Sequence, residues 1–117
     1  MAEVTTVVDA YIDSWNVTDP EHRRAVIGEA FTDDATYLDP IMSGDGPDGI
    51  DAMIAGAQAQ FPDHRCELTA GPDAHHDRVR FAWRVVSPEG ATVLAGVDFA
   101  QLADDGRLRA VTGFLEA

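Results

Sequence analysis

The spacing of hydrophobic residues changes halfway along the chain, and this change constrains the fold more than any other feature. Up to about residue 61, apolar residues recur every three or four positions, as on one face of an α-helix. From about residue 64 they alternate with polar residues, as on a half-buried strand, and Val79, Phe81 and Trp83 give the clearest example. Helices followed by a run of strands are typical of an α+β domain.

Three helices are expected in the first half of the chain. Their expected ranges are about 3–15, 19–31 and 47–61. Tyr11 lies on the apolar stripe of the first helix, so its hydroxyl group points inward and needs a hydrogen-bond partner. Asp19 and Pro20 are a typical helix start, with a capping side chain followed by a proline suited to the first turn. Arg23 and Arg24 are expected on the solvated face of the second helix.

Turn signals divide the second half of the chain into four strands. The signals are Gly71-Pro72-Asp73, Pro88-Glu89-Gly90 and Asp104-Asp105-Gly106, at hairpin spacing. The expected strands are about 64–70, 74–86, 91–102 and 107–115, and one short strand lies among the helices. The prediction is a single α+β domain over residues 1–117, in which three N-terminal helices pack on a curved, mostly antiparallel sheet. Such a cone-shaped domain encloses a pocket between its two layers.

The composition excludes several classes of partner. The formal net charge of −13 argues against nucleic acid and against anionic membrane surfaces, since both need basic patches. No apolar run approaches the length of a membrane span, and the N-terminal residues lack the features of a signal peptide. A cytoplasmic location is therefore expected. Cys66 is the only cysteine, and it is interpreted as a buried small hydrophobic residue.

The segment 35–40 combines a short expected strand with an acid at its end. Tyr37 and Leu38 favour an extended chain, and Pro40 disfavours helical geometry at Asp39. A carboxylate at a strand end, where the chain turns away, is well placed to contact a ligand. The alternative is that Asp39 only starts a turn, as aspartate before proline often does.

Asp98 lies within an apolar stretch of the third expected strand of the second half. Aspartate is depleted from strands, and a buried carboxylate must be paired or must be neutral with a raised pKa. A position in the pocket is therefore favoured over the alternative, an exposed charge that discourages edge pairing.

Histidines and aromatic residues supply the remaining candidates. His75 and His76 are neighbours on a strand and point to opposite faces, so one of them, taken here as His75, could reach the pocket. No histidine or cysteine pair has the spacing of metal ligands, so no metal is expected. Four aromatic residues are expected to form pocket or core walls: Trp15, Tyr37, Trp83 and Phe114.

Three short segments together resemble the nuclear transport factor two-like superfamily, in particular its ketosteroid isomerase and SnoaL-like (polyketide cyclase) branches. They are Val7-Val8-Asp9-Ala10-Tyr11, Asp33-Asp34-Ala35-Thr36-Tyr37-Leu38-Asp39-Pro40 and Val97-Asp98-Phe99. The first is similar to the isomerase segment with the oxyanion-hole tyrosine, the second to the segment that ends in the general base, and the third to the strand with a protonated aspartic acid. The resemblance covers nearly the whole chain.

This resemblance implies a cofactor-independent enzyme of isomerase or cyclase type that acts on a small apolar carbonyl compound. Asp39 would remove a proton next to the carbonyl group, and Tyr11 and a neutral Asp98 would donate hydrogen bonds to the developing enolate. Two alternatives stay open: a binding protein that holds a small apolar ligand without transforming it, and an epoxide-opening hydrolase in which carboxylates activate water.

A partner subunit is expected because the strand that carries Asp98 is apolar on both faces. If Leu94 and Asp98 face the pocket, Val97 and Phe99 lie on the other side of the sheet. Three helices can cover only one side, and an apolar strand needs cover on both. Relatives pair through this outer face, so the resemblance implies a homodimer.

Overall fold

The structure, a computed structural model, describes residues 3–116. Three helices and six strands follow one another in this part of the chain. The helices are α1 (Val4–Asn16), α2 (Pro20–Ala30) and α3 (Gly46–Gln60). The strands are β1 (Phe31–Leu38), β2 (Ser43–Asp45), β3 (Arg65–His75), β4 (Arg78–Val86), β5 (Thr92–Leu102) and β6 (Leu108–Leu115). The prediction of an α+β domain with three helices on a curved sheet is confirmed.

The strands form one sheet in the order β2-β1-β6-β5-β4-β3. Strand β1 pairs in parallel with β6, and all other neighbours in this sheet are antiparallel. The β1–β6 register sets Tyr37 beside Val111, and the β5–β6 register sets Asp98 beside Gly113. The end of β1 and the middle of β5 are therefore separated only by β6.

The core lies between the helices and the inner face of the sheet. Its largest fully buried apolar side chains come from both layers and include Ile27, Phe31, Ile50, Ile54, Phe81 and Leu108. Burying a side chain of this size stabilises a fold by about 1.5–3 kcal/mol. No helix within residues 3–116 is long and apolar enough to cross a lipid bilayer.

Element boundaries differ from the predictions in three places. Phe31, expected at the end of a helix, begins β1, because its backbone is already extended (φ −118°, ψ 147°). A second short strand, β2, lies before α3 and pairs with β1, whereas one short strand was expected among the helices. Strand β3 continues past Gly71 as far as His75, and register shifts between Leu68 and Asp73 accommodate the irregular segment. The chain turns only after His75.

Asp19 caps α2 as predicted, since its side chain accepts the backbone N–H of His22 at 2.8 Å. Arg23, expected on the solvated face, is instead buried. Its Nε donates to Asp51 Oδ1 at 2.7 Å, and its Nη1 donates to Gln58 Oε1 at 3.0 Å. The guanidinium group therefore joins α2 to α3 within the interior, where its charge is paired.

Candidate active site

A cavity of about 150 Å³ lies between the helices and the inner face of the sheet. Its apolar walls include Met42, Ala57, Phe61, Val85, Leu94 and Leu115. Six of the residues selected from the sequence also line it: Tyr11, Trp15, Tyr37, Asp39, Trp83 and Asp98. An apolar cavity with a few converging polar groups is the usual form of a small-molecule site.

Asp98 is the most buried acid of this cavity, with 1% of its surface exposed. The hydroxyl group of Tyr11 donates to Asp98 Oδ2 at 2.6 Å. The indole Nε1 of Trp83 donates to Asp98 Oδ1 at 3.0 Å. Both carboxyl oxygens are therefore satisfied, which meets the requirement that a buried carboxyl group be paired.

Burial raises the pKa of Asp98 to about 6, against the lowering effect of the hydrogen bonds from Tyr11 and Trp83, and the charge of Asp39 raises it further. This is the direction expected from the sequence for a carboxyl group in an apolar strand. Burial and then the charge of Asp98 raise the pKa of Tyr11 well above its ordinary value. Tyr11 thus keeps its proton and acts as a hydrogen-bond donor.

Asp39 combines the two roles that the sequence left open. Its Oδ1 accepts the backbone N–H groups of Ile41 at 2.8 Å and Met42 at 2.9 Å, and so holds the turn after β1. Its Oδ2 accepts the hydroxyl group of Tyr37 at 2.6 Å. One carboxyl oxygen thus fixes the backbone, and the other accepts from a single side chain.

Gly113 lies between these two groups of residues. A Cβ atom at this position would lie 2.8 Å from Asp98 Oδ1, 3.1 Å from Asp39 Cβ and 3.3 Å from Tyr37 Oη. The absence of a side chain at Gly113 therefore allows the two carboxyl groups to share one cavity. Gly96 has a similar role, because a Cβ atom there would lie 2.6 Å from the indole ring of Trp83.

Comparison with known proteins identifies the family. A profile of the SnoaL-like domain matches residues 8–111. The chain belongs to the SnoaL-like domain family. This confirms the resemblance drawn from the three short segments. No curated protein gives a significant match.

Solved structures similar to this SnoaL-like domain agree with the assignment. A candidate isomerase of the SnoaL-like family from Agrobacterium tumefaciens is 40% identical, with a TM-score of 0.92 and coverage of 100% of both chains. A candidate polyketide cyclase from Sinorhizobium meliloti is 18% identical (TM-score 0.71, 92% of each chain). An NTF2-like protein of unknown function from an Exiguobacterium species is 21% identical (TM-score 0.74, 95% of this chain and 98% of that chain). At these low identities the last two show the shared fold alone.

Two residues selected from the sequence lie outside the cavity of the SnoaL-like domain, so their assignment to it is wrong. His75 is exposed at the end of β3 and borders a shallow hollow on the other side of the sheet, beside Phe99. Phe114 is 54% exposed and packs edge-to-face on Phe99, with ring centroids 5.8 Å apart. The reason is the alternation of β6, in which Val111 and Gly113 face inward and Phe114 faces outward.

Several cavity residues of the SnoaL-like domain were not selected from the sequence. They are Gln58, His64, Arg65 and Cys66, which lie at the end of α3 and the start of β3. Burial raises the pKa of the Cys66 thiol to about 12, so it stays neutral and suits an apolar wall. The described residues contain no group of three or more histidine, cysteine, aspartate or glutamate side chains placed to hold a metal ion.

Proposed function

We propose that this protein is a cofactor-independent enzyme of isomerase or cyclase type, acting on a small carbonyl compound with an apolar body. One observation carries the proposal: two carboxyl groups in different environments face the same apolar cavity. Asp98 is buried between two hydrogen-bond donors and has a raised pKa, whereas Asp39 is half-buried at a turn. Carboxyl groups whose environments differ in this way are suited to separate acid and base roles.

The proposed reaction begins with proton transfer to Asp39. Its Oδ2 takes a proton from the carbon next to the substrate carbonyl, the electrons of the broken C–H bond form a C=C bond, and the carbonyl π electrons move onto oxygen. Tyr11 and the neutral form of Asp98 donate hydrogen bonds to this oxygen, where negative charge develops. In a substrate with a C=C bond next to that carbon, the intermediate is a dienolate, and protonated Asp39 returns the proton to its far carbon, which completes an isomerisation in which the C=C bond shifts by one position. Tyr37 gives up its bond to Asp39 as substrate enters.

A binding protein for a small apolar ligand is the second candidate, and the hydrogen bonds of Asp39 favour it. Three donors already satisfy this carboxylate, as in an aspartate that only stabilises a turn. In that case the cavity would hold its ligand through Tyr11 and the apolar walls, without proton transfer.

Proton exchange next to a carbonyl group distinguishes the two candidates. We expect the wild-type protein to accelerate exchange of these protons with deuterium in a panel of cyclic ketones, followed by proton NMR in D₂O. Binding of phenols, which mimic the enolate, is measured in parallel. Phenol binding without accelerated exchange of any ketone would support the binding protein and contradict the enzyme.

We further propose that the protein forms a homodimer through the outer face of its sheet. Phe99 and Phe114 are 48% and 54% exposed there, and Val93 is 45% exposed. Neighbouring apolar side chains of this size on one face indicate an interface. Ion pairs of Arg80 with Asp73 and of Arg84 with Glu67 lie beside them on the same sheet.

Sedimentation at micromolar concentration is therefore expected to give twice the mass of one chain. Phe114→Glu is expected to convert the dimer to a monomer, because the new charge would be buried in the interface. Ile41→Glu, at an exposed apolar residue near the cavity, is the matched control and keeps the dimer mass. A wild-type protein that sediments as a monomer would contradict the proposal.

A further inference from the structure

The cavity has polar groups at its inner end and apolar side chains at its opening. Tyr11 and Asp98, which are hydrogen-bonded to each other, are 2% and 1% exposed. Ile41 and Phe61 line the same cavity, yet they are 62% and 36% exposed. Residues that both line a cavity and meet solvent lie where the cavity opens. A ligand therefore enters with its polar group first and leaves its apolar part near the opening.

Phe61 is directed to the cavity by the periodicity of α3. Ala57 and Gln58, in the last turn of this helix, line the cavity. The backbone N–H of Phe61 donates to the carbonyl oxygen of Ala57 at 3.0 Å, so Phe61 continues the same face of the helix one turn further on. Its ring packs edge-to-face on that of His64, another lining residue, with centroids 5.5 Å apart. The aromatic ring is thus held at the cavity.

Ile41 is held at the opening by the turn that follows β1. Its backbone N–H donates to Asp39 Oδ1 at 2.8 Å. The backbone N–H of Asp39 donates to the carbonyl oxygen of Met42 at 3.0 Å, which closes the turn. Asp39 and Met42 are less exposed than Ile41, and all three line the cavity. One turn therefore places the proposed base inside the cavity and Ile41 at its edge.

Two further lining residues within the described part of the chain are exposed, Gln60 and Arg65. The side chain of Arg65 lies on the outer face of the sheet, because its strand neighbour Cys66 packs against the core. Gln60 carries no charge. The exposed side chains at the opening are therefore apolar or neutral.

The enclosed space is small. Its volume of about 150 Å³ is that of a cavity that binds one benzene molecule, so a single six-membered ring fills it. With the polar group of the ring at Tyr11, any atoms attached to the opposite side of the ring pass through the opening and meet Ile41 and Phe61. Contact with these side chains favours an apolar group, because it removes apolar surface from water.

We propose that the ligand is a one-ring carbonyl compound with an apolar extension opposite the carbonyl group, and that Ile41 and Phe61 cover this extension. The carbonyl end of this assignment rests on the proposed function. The apolar extension does not, since a binding protein would hold its ligand against the same two side chains.

A series of para-alkylphenols tests the proposal, because the alkyl group extends the ring without changing the hydroxyl group. By calorimetry, affinity is expected to rise about two- to fourfold for each CH₂ group from phenol to para-butylphenol, with one ligand per chain; a fully buried CH₂ group contributes about fourfold. The para-(methoxyethyl) phenol has the same length and a polar atom, and it is expected to bind more weakly than para-butylphenol. Equal affinity for phenol and para-butylphenol, or no binding of any of these phenols, would overturn the proposal.

Ile41→Ser and Phe61→Ser, made separately, are expected to keep the affinity for phenol and to reduce the increase per CH₂ group. Unchanged phenol affinity shows that the cavity of each variant is intact. Leu38→Ser is the matched control, because Leu38 is 57% exposed but faces away from the cavity, next to the inward-facing Tyr37. It is expected to keep the full increase.

An increase with chain length that both Ile41→Ser and Phe61→Ser retain in full would contradict the proposal. The enzyme assignment can fail separately, since absence of proton exchange in ketones would leave the dependence of affinity on chain length measurable.

Discussion

Asp39→Asn is expected to lower the rate of proton exchange by a factor of about 10² to 10⁴, the usual contribution of a general base. The amide has the shape of the carboxylate, and its oxygen can still accept the N–H groups of Ile41 and Met42. Its nitrogen can donate to the hydroxyl group of Tyr37. The turn therefore persists, but the group that accepts the substrate proton is lost.

Two further measurements and a control variant accompany this substitution. Phenol affinity is expected to change little, because phenols contact Tyr11 and Asp98 and not the base. Thermal stability is expected to stay near that of the wild type. Asp33→Asn, at an exposed acid of the same strand, is the control and retains full exchange. Exchange that persists in Asp39→Asn would exclude Asp39 as the base, and joint loss of binding and stability would indicate a structural turn residue.

The second large effect is a fall in kcat/KM above about pH 6. The proposed reaction needs Asp98 in its neutral form as a donor, and the pKa of this carboxyl group is about 6. Because its pKa is raised, the neutral form predominates below this pH. Above it, the neutral fraction decreases about tenfold for each pH unit. From pH 6.5 to 8.5, kcat/KM is therefore expected to decrease by roughly two orders of magnitude.

Two variants test whether Asp98 causes this fall. Asp98→Asn donates through its amide at every pH, so its kcat/KM is expected to be lower but independent of pH above 6. Tyr11→Phe removes a hydrogen bond that lowers the pKa of Asp98. In this variant kcat/KM is expected to be lower at every pH, and its decrease is expected to begin at a higher pH. A profile of unchanged slope in Asp98→Asn would assign the titration to another group.

Local sequence patterns were sufficient to select the polar residues of the inner end. Tyr11 interrupts a helical apolar stripe and Asp98 interrupts an apolar strand, and a polar group in such surroundings requires a buried partner. Their pairing with each other depends on strand register and on how α1 lies on the sheet. These are properties of the whole fold, which no single segment encodes.

The wrong assignments have equally physical causes. Phe114 was expected in the cavity because an aromatic side chain is a stronger signal than its neighbour Gly113, which faces inward without any side chain. His75 was misplaced because Gly71 and Pro72 indicated a turn that the strand does not make. Arg23 was placed in solvent because its half-buried acidic partner lies on another helix, 28 residues later.

Gly113 also has a consequence for the comparison of relatives. It has no functional group, yet any larger residue at this point of β6 would occupy space that Asp98, Asp39 and Tyr37 need. A homologue with alanine at this position could keep both acids in its sequence and still be unable to bring them together. The residue aligned with Gly113 is therefore a criterion for deciding which family members inherited the complete two-acid arrangement and which retain only its separate parts.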